Sequence, residues 1–295
     1  MTQTDLRPRR SVLYMPGANT RAHEKGRTLP ADAIIIDLED SVAPEMKESA
    51  RETACGAIRE GGFGKREVAL RINGFETPWG RGDLEAAVAA QPDAIVLTKV
   101  QSPEDVASVG AVVRDQGAQA VPVWAMIETP LAILNIREIA AFRDPEGPLA
   151  AFVLGTNDIA KEMRVREAGD RLPMLSYLST CVLAARAYGL DILDGVFNDF
   201  SDEAGFREEC RQGRDLGMDG KTLIHPSQIV VANEVFAPSD EEVAEARKII
   251  TAFDLPENRG KGAINLDGRM VEILHADIAR RTVALAEAIA AREAA

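Results

Sequence analysis

Short, continuous runs of apolar residues recur along the chain, and each is followed by a longer stretch with the spacing of an amphipathic helix. Continuous apolar runs are typical of parallel strands that are covered on both faces. Repeated strand–helix units of this kind predict a (β/α)8 TIM barrel, with an open doubly wound sheet as the alternative. In chain order, the predicted strands are residues 11–16, 33–40, 67–73, 94–100, 121–129, 150–158, 190–197 and 221–226.

Polar residues stand where these predicted strands end. In a barrel the carboxyl ends of all strands surround one site, whereas distant strands of an open sheet would not converge. The number of polar strand ends therefore favours the closed barrel. These residues are Asp37, Glu39, Arg71, Asn73, Lys99, Glu128, Asn157, Asp158, Asp199 and His225.

The pattern changes after residue 238. Residues 239–253 predict a helix with Ser239 as its N-cap, a glycine-rich loop follows, and a long amphipathic helix comes last. We therefore expect a barrel that carries the active site over residues 1–238 and a C-terminal helical segment over residues 239–295.

One helix is predicted directly after the fifth strand. Thr129 is its expected N-cap, and Pro130 occupies the first turn, where proline is well tolerated. The helical spacing would place Leu131, Leu134 and Ile139 on one stripe of this helix.

Composition excludes several classes of protein. The chain has 295 residues with 46% hydrophobic content, and its net charge of -13 disfavours nucleic-acid binding. Three widely spaced cysteines argue against a disulfide framework and against a thiolate zinc site. The chain shows neither an apolar run long enough to span a bilayer nor an apolar secretion signal, so we predict a cytoplasmic protein.

Glu128 and Asp158 end neighbouring predicted strands, so their carboxylates could share one divalent cation such as Mg²⁺, which prefers oxygen ligands. The alternative is that both are acids placed at helix N-termini, where the helix dipole favours them. Asp37 and Glu39 end the second strand, and one of them could hold metal-bound water.

Arg71 closes an apolar strand, where an unpaired guanidinium would be costly to bury. It either forms an ion pair with Asp37 or Glu39, or it binds a carboxylate or a developing oxyanion. Basic residues around the first predicted helix are usually surface residues, yet in this acidic chain they are the best candidates for a phosphate-binding region. They are Arg7, Arg9, Arg10, Arg21, Lys25 and Arg27.

Several blocks together carry a resemblance to a known family: RRSVLYMPGANTRAHEK, IIIDLEDSVAP, ALRING, LTKVQSPEDV, MIETPLAILNIREIA, VLGTNDIA, GKTLIHPSQI and GKGAINLDGRM. In this order they resemble the citrate lyase β-subunit-like family, which includes malyl-CoA and citramalyl-CoA lyases within the HpcH/HpaI aldolase superfamily. The resemblance spans nearly the whole chain.

The resemblance implies a TIM barrel whose C-terminal lid covers the active site of a neighbouring subunit in a homo-trimer or hexamer. It implies that Glu128 and Asp158 bind Mg²⁺, with Mn²⁺ as the alternative ion. It also implies that Arg71 contacts the substrate carboxylate or the thioester oxygen, and that Asp37 and Glu39 belong to an acidic catalytic motif. The implied CoA and substrate contacts are Tyr14, Arg21, Lys25, Ile224 and His225.

The chain departs from the family at one position. Many members carry a lid aspartate that acts as general acid or base, whereas Glu272 occupies that position here. As an alternative, Glu272 is simply an exposed acid in the first turn of a helix. The implied reaction is Mg²⁺-dependent cleavage of a malyl-CoA-type thioester to acetyl-CoA and a 2-oxo acid. The alternatives are a (3S)-malyl-CoA thioesterase and a citrate lyase β subunit that acts on an acyl-carrier-protein thioester.

Overall fold

The structure, a computed structural model, describes residues 6–166 and 170–294. The chain divides into two units, one comprising residues 9–234 and the other comprising the described residues 6–8 and 235–294. None of the helices in the described part of the chain combines the length and the apolarity that crossing a membrane requires.

The first unit contains a closed barrel of parallel strands. Each strand pairs with the next one along the chain, and the last strand pairs with the first. The predicted TIM barrel is therefore confirmed, and the open-sheet alternative is wrong. The strands are β1 Ser11–Pro16, β2 Ala33–Asp37, β3 Glu67–Arg71, β4 Ala94–Leu97, β5 Val123–Ile127, β6 Leu149–Leu154, β7 Asp191–Asp194 and β8 Gly220–Leu223.

Helices connect the strands, as the repeated pattern predicts. They are α1 Thr20–Gly26, α2 Lys47–Glu60, α3 Gly80–Ala90, α4 Pro103–Gln116, α5 Pro130–Leu134, α6 Ile136–Ala141, α7 Thr156–Met163, α8 Leu175–Tyr188, α9 Glu203–Leu216 and α10 Gln228–Phe236. Short 3-10 turns lie at Pro44–Met46 and Leu172–Met174.

The two-residue period of the strands explains how polar side chains reach the mouth of the barrel. Ala33 and Ile35 of β2, and Ala69 of β3, belong to one cluster of fully buried residues. Because alternate residues of a strand point to the same face, the next positions on that face are Asp37 and Arg71. The apolar interior of the barrel therefore ends in charged groups at the carboxyl ends of these strands.

Two of the basic residues proposed for phosphate binding lie elsewhere. Arg9 and Arg10 directly precede β1, at the amino end of the barrel. The Arg9 Nε atom lies 2.7 Å from Glu67 Oε2, and its guanidinium lies 5.1 Å from the centre of the Trp124 ring. The Arg10 Nε atom lies 2.8 Å from Asp32 Oδ2. Both arginines therefore close the amino end with ion pairs, and the phosphate prediction is wrong for them.

The helix predicted after β5 is broken in two. Thr129 caps α5 as expected, since its hydroxyl accepts a hydrogen bond from the backbone N–H of Ala132 at 3.1 Å. The helix ends before Asn135, and α6 starts at Ile136 with a different phase. Leu131 and Leu134 are 46% and 79% exposed whereas Ile139 is fully buried, so the predicted single stripe is wrong.

The second unit contains two helices and a hairpin, with α11 at Asp240–Asp254, β9 at Ala263–Leu266, β10 at Arg269–Glu272 and α12 at Ile273–Glu293. Ser239 caps α11 in a capping box, as the sequence predicts. The hairpin replaces part of the predicted loop. Its two turn residues, Asp267 and Gly268, both have positive φ, which is the geometry that an Asp-Gly pair favours between strands. Phe253, Ile264 and Ala276 form part of its core.

Candidate active site at the carboxyl end of the barrel

Asp37 and Arg71 form the centre of the candidate site. They are the last residues of β2 and β3, and the strand register makes them direct neighbours. The Arg71 Nε atom donates to Asp37 Oδ1 at 2.6 Å, and Nη2 donates to Oδ2 at 2.8 Å. Burial disfavours the charge on Asp37, yet the two bonds from Arg71 hold the pKa of Asp37 below its usual range.

The remaining surroundings of Arg71 are also acidic. Its Nη1 atom lies 2.8 Å from Glu39 Oε2 and 3.3 Å from Asp40 Oδ2, and its guanidinium lies 4.8 Å from the Tyr14 ring centre. The ion-pair interpretation of Arg71 therefore holds. It leaves the binding interpretation open, because the Asp40 side chain is 73% exposed and a ligand carboxylate could take its place.

Glu128 follows β5 directly and is 2% exposed. Its Oε1 atom accepts a hydrogen bond of 2.6 Å from the backbone N–H of Lys99. Lys99 has a φ of 52°, a left-handed conformation that is uncommon for residues other than glycine, and it follows β4 after one residue. The strained turn after β4 thus fixes the carboxylate of Glu128, which follows β5.

Two carboxyl groups of the site are held in unfavourable surroundings. Burial, followed by repulsion from Glu39 and Asp158, raises the pKa of Glu128 to about 7. Burial and repulsion from Asp40 and Asp37 raise the pKa of Glu39 to about 7, although Arg71 acts in the opposite direction. Such an excess of buried negative charge is what a divalent cation would relieve.

Asp158 lies in the first turn of α7, beside the strand that precedes it. Repulsion from its charge is one cause of the raised pKa of Glu128, so the two predicted metal ligands lie within electrostatic range of each other. Gly155 lies between β6 and α7, and a Cβ atom there would lie 2.4 Å from Glu128 Cβ and 2.7 Å from Glu128 Oε2. The glycine therefore leaves room for the Glu128 carboxylate.

Several of these residues line a cavity of about 360 Å³, which we call the first cavity, although Glu39 and Glu128 are not among its lining residues. Tyr14, Asp37, Arg71, Asp158 and Ile224 line it. The described residues contain no group of three or more His, Cys, Asp and Glu side chains arranged to hold a metal ion. The donor set fits Mg²⁺ nevertheless, because this ion is usually bound by one or two carboxylates and completes its shell with water and substrate oxygens.

Tyr14 and Ile224 line the first cavity, and their contact with CoA or substrate stays a prediction. Burial raises the pKa of Tyr14, so its phenol stays protonated and can donate a hydrogen bond. His225 is exposed and its ring stacks on Phe200, with ring centres 4.8 Å apart and planes 20° apart. Phe200 has no counterpart in the sequence-based prediction, because a phenylalanine in a loop gives no signal of its own.

Arg21 and Lys25 are both exposed on α1, four residues apart and thus on one face of that helix. Arg27 is engaged differently, since its Nη2 atom lies 2.9 Å from Glu60 Oε2. Neither Arg21 nor Lys25 lines the first cavity. Their proposed contact with CoA stays a prediction.

Glu272 belongs to the second unit and is the N-cap of α12. Its backbone N–H donates to His275 Nδ1 at 3.0 Å, which together with the Glu272 side chain completes a capping box. A helix-capping role is thus visible, and the predicted general acid or base role stays a prediction.

Lys99 is one of the polar strand ends in the sequence, but nothing in the sequence indicates that its backbone N–H holds Glu128.

Known proteins are similar to this chain over most of its length. The profile of the HpcH/HpaI aldolase/citrate lyase family matches residues 10–226. A (3S)-malyl-CoA thioesterase of Cereibacter sphaeroides (strain KD131) is 50% identical over 284 residues, which cover 96% of each chain. An L-malyl-CoA/beta-methylmalyl-CoA lyase of Cereibacter sphaeroides (strain ATCC 17025) is 38% identical over 97% of this chain and 96% of its own.

A solved structure is also similar. Protein CitE of Mycobacterium tuberculosis, in complex with magnesium, acetoacetate and coenzyme A, superposes with a TM-score of 0.73 at 29% identity. The match covers 94% of this chain and 97% of that chain.

Proposed function

The chain belongs to the HpcH/HpaI aldolase/citrate lyase family, and from that premise we propose that it hydrolyses the thioester of (3S)-malyl-CoA in a Mg²⁺-dependent reaction. The observation that carries the proposal is the 50% identity, over 96% of both chains, to a (3S)-malyl-CoA thioesterase. The acidic site around Arg71 supports it, because mere binding of CoA has no need of paired carboxylates at an arginine.

Glu128 and Asp158 would hold the metal ion, with Mn²⁺ as the alternative to Mg²⁺. When bound, such an ion acts as a Lewis acid on the substrate oxygens and orients the substrate. The surroundings support this role, since both carboxylates lie close enough for repulsion to raise the pKa of Glu128. Magnesium in the related CitE structure supports the choice of ion.

Arg71 would stabilise the charge that develops on the thioester oxygen. Asp37 binds one edge of the guanidinium through two hydrogen bonds and so fixes its plane. The other edge faces Glu39 and the exposed Asp40, where a substrate oxygen could replace the Asp40 carboxylate. A preorganised donor of this kind is typically worth 10²–10³ in rate, on the order of the effect of one oxyanion-hole group.

In the hydrolysis, the oxygen of water bonds to the thioester carbonyl carbon and the carbon–sulfur bond breaks. The electron pair leaves with sulfur, which takes up a proton, and the products are malate and free CoA. We propose Glu272 as the group that moves the proton, on the basis of the family resemblance. Replacement by Gln, which keeps the capping geometry but removes the charge, tests this role.

The deciding experiment is product analysis after incubation of the purified protein with (3S)-malyl-CoA and Mg²⁺. We expect free thiol and malate in equal amounts, and no reaction in the presence of EDTA. Asp158→Asn should abolish the reaction, whereas Asp115→Asn, at an exposed position of α4, should leave it unchanged. Lack of any turnover of malyl-CoA by the folded, Mg²⁺-loaded protein would refute the proposed substrate.

Carbon–carbon cleavage, the reaction that the sequence resemblance implies, is the second candidate. The 38% identity to a malyl-CoA lyase favours it. The same incubation separates the two, because a lyase would produce glyoxylate and acetyl-CoA without free thiol. Turnover of a free CoA thioester would argue against a citrate lyase subunit that needs an acyl-carrier protein. Cytoplasmic location, the homo-oligomeric state and the lid role of the C-terminal segment stay predictions.

A further inference from the structure

A second cavity adjoins the first one. It has a volume of about 330 Å³ and lies beside the carboxyl ends of β6 and β7. Four residues line both cavities and therefore form the wall between them, which we call the partition: Thr156, Asn157, Val196 and Asn198. Thr156 and Asn157 begin α7 after β6, and Val196 and Asn198 lie in the loop after β7, so the partition is built from two separate segments of the chain.

The partition is bridged by a pair of amides. The Asn157 Nδ2 atom donates to Asn198 Oδ1 at 3.2 Å, and Asn198 Nδ2 donates to Asn157 Oδ1 at 3.0 Å. Both side chains are exposed, so the bridge lies at the solvent end of the partition. Exposed hydrogen bonds contribute little net stability, so this bridge can be removed without unfolding the barrel.

The far wall of the second cavity is rigid. Arg171 lines it and is 8% exposed; its Nη1 atom donates to Asp194 Oδ1 at 2.8 Å, and Nε donates to Gln212 Oε1 at 2.7 Å. Other parts of the wall are apolar, including Met174 and Phe197. The cavity therefore has a fixed boundary on one side and surfaces that suit a hydrocarbon group on another.

We propose that the partition determines which acyl groups the enzyme accepts, an inference that rests on the proposed function. The carbon of malyl-CoA that bears the hydroxyl and carboxylate would lie at the metal ligands, and Asp158 directly follows Asn157 in the chain. An apolar branch on that carbon must therefore meet the partition and enter the second cavity. On this proposal the unbranched malyl group occupies the first cavity alone, and branched acyl groups are excluded while the amide bridge is closed.

The test is Asn198→Ala, which shortens the partition without touching the proposed metal ligands. We compare kcat/KM for malyl-CoA with kcat/KM for an analogue that carries an isobutyl branch on the hydroxyl-bearing carbon. The branched-to-unbranched ratio should rise about 10-fold or more, the range expected when a pocket gains room for even one methylene group. Asn233→Ala is the control, because Asn233 lines neither cavity and its amide binds only outside the barrel mouth, at Pro30 O.

An unchanged ratio, or an equal loss for both substrates, would overturn the proposal, since a merely structural asparagine would affect both alike. Binding gives a readout that is independent of turnover. Calorimetric titration with glyoxylate and with 4-methyl-2-oxopentanoate, each in the presence of Mg²⁺, should show that Asn198→Ala gains affinity for the larger acid only. If malyl-CoA is not turned over, the proposed function fails, while this titration still supports or overturns the partition.

Discussion

The barrel contains two clusters of charged side chains that differ in their balance. The carboxylate cluster, around Arg71, comprises Asp37, Glu39, Asp40, Glu128 and Asp158. The ion-pair network, at β7 and β8, comprises Arg171, Asp194, Glu209 and Lys221. In the network, Lys221 Nζ lies 2.9 Å from Asp194 Oδ2 and 2.6 Å from Glu209 Oε1, so two cations face two anions. In the carboxylate cluster, five acids surround the guanidinium of Arg71, and the half-exposed Lys99 also acts on Glu39.

The pKa values show the consequence of this difference. Burial alone would lower the pKa of Lys221 and raise that of Asp194, yet their mutual attraction raises the first and lowers the second. Burial and repulsion from neighbouring acids instead raise the pKa values of Glu39 and Glu128 to about 7. The network is thus complete within the chain, whereas the carboxylate cluster has the charge of a site that receives a cation.

The largest effect is expected on activity, from the carboxylate cluster. Glu128→Gln keeps the side-chain volume but removes a charge that would hold Mg²⁺, so kcat should fall by about 10³-fold, since metal catalysis supplies several kcal/mol. Steady-state hydrolysis of malyl-CoA at several Mg²⁺ concentrations measures this. A residual activity within 10-fold of the wild type would remove Glu128 from the metal assignment, and the exposed Asp115→Asn serves as control.

The next effect is expected on stability, from the ion-pair network. Lys221→Met would leave Asp194 and Glu209 buried with less compensation, and breaking a buried pair in this way costs about 3–5 kcal/mol. Urea unfolding of the metal-free protein gives the free energy of unfolding. Lys161→Met, at an exposed position of α7, is the matched control. A loss of unfolding free energy below about 1 kcal/mol would mean that the network does not stabilise this side of the barrel.

The smallest effect is expected on the pH dependence of the free energy of unfolding. Glu128 has a pKa of about 7 in the folded protein against 4.5 normally, so the native state keeps its proton over that interval while the unfolded chain loses it. The stability that protonated Glu128 contributes is therefore present below pH 4.5 and is lost as the pH rises to about 7. Without metal, Glu128→Gln should accordingly be more stable than the wild type near pH 8 and similar to it near pH 4.5.

The gain near pH 8 should be on the order of 1–3 kcal/mol and should disappear when Mg²⁺ is added to the wild type. Thermal unfolding in EDTA and in Mg²⁺ at both pH values measures it. If the wild type has a higher unfolding temperature than the variant in EDTA near pH 8, Glu128 is not electrostatically strained.

The strand ends of the carboxylate cluster were predictable because the chain itself signals them. Asp37, Arg71 and Glu128 each continue the inward-facing period of a strand, which a sequence displays directly. Lys221 gave no such signal. It lies within β8 and its partner Glu209 belongs to α9, so its burial depends on where a helix packs against the barrel.

Contacts between distant segments and a helix break were not predictable from the sequence. The Asn157–Asn198 bridge joins residues 41 positions apart, and nothing local in either segment specifies the pairing. The break at Asn135 was equally hidden, because the apolar residues around it fit one continuous helix about as well as two short ones. Contacts made across the barrel mouth are set by the tertiary fold, whereas strand ends are set by local sequence.

Gly155 has a practical consequence for anyone who randomises this molecule. Any side chain there would begin 2.4 Å from Glu128 Cβ, so even alanine would displace the glutamate by contact alone, without altering any charged group. A saturation library at codon 155 should therefore yield glycine almost exclusively among active clones. Such a library would locate the reactive centre by steric means, without any assumption about which acid binds the metal ion and which one transfers a proton.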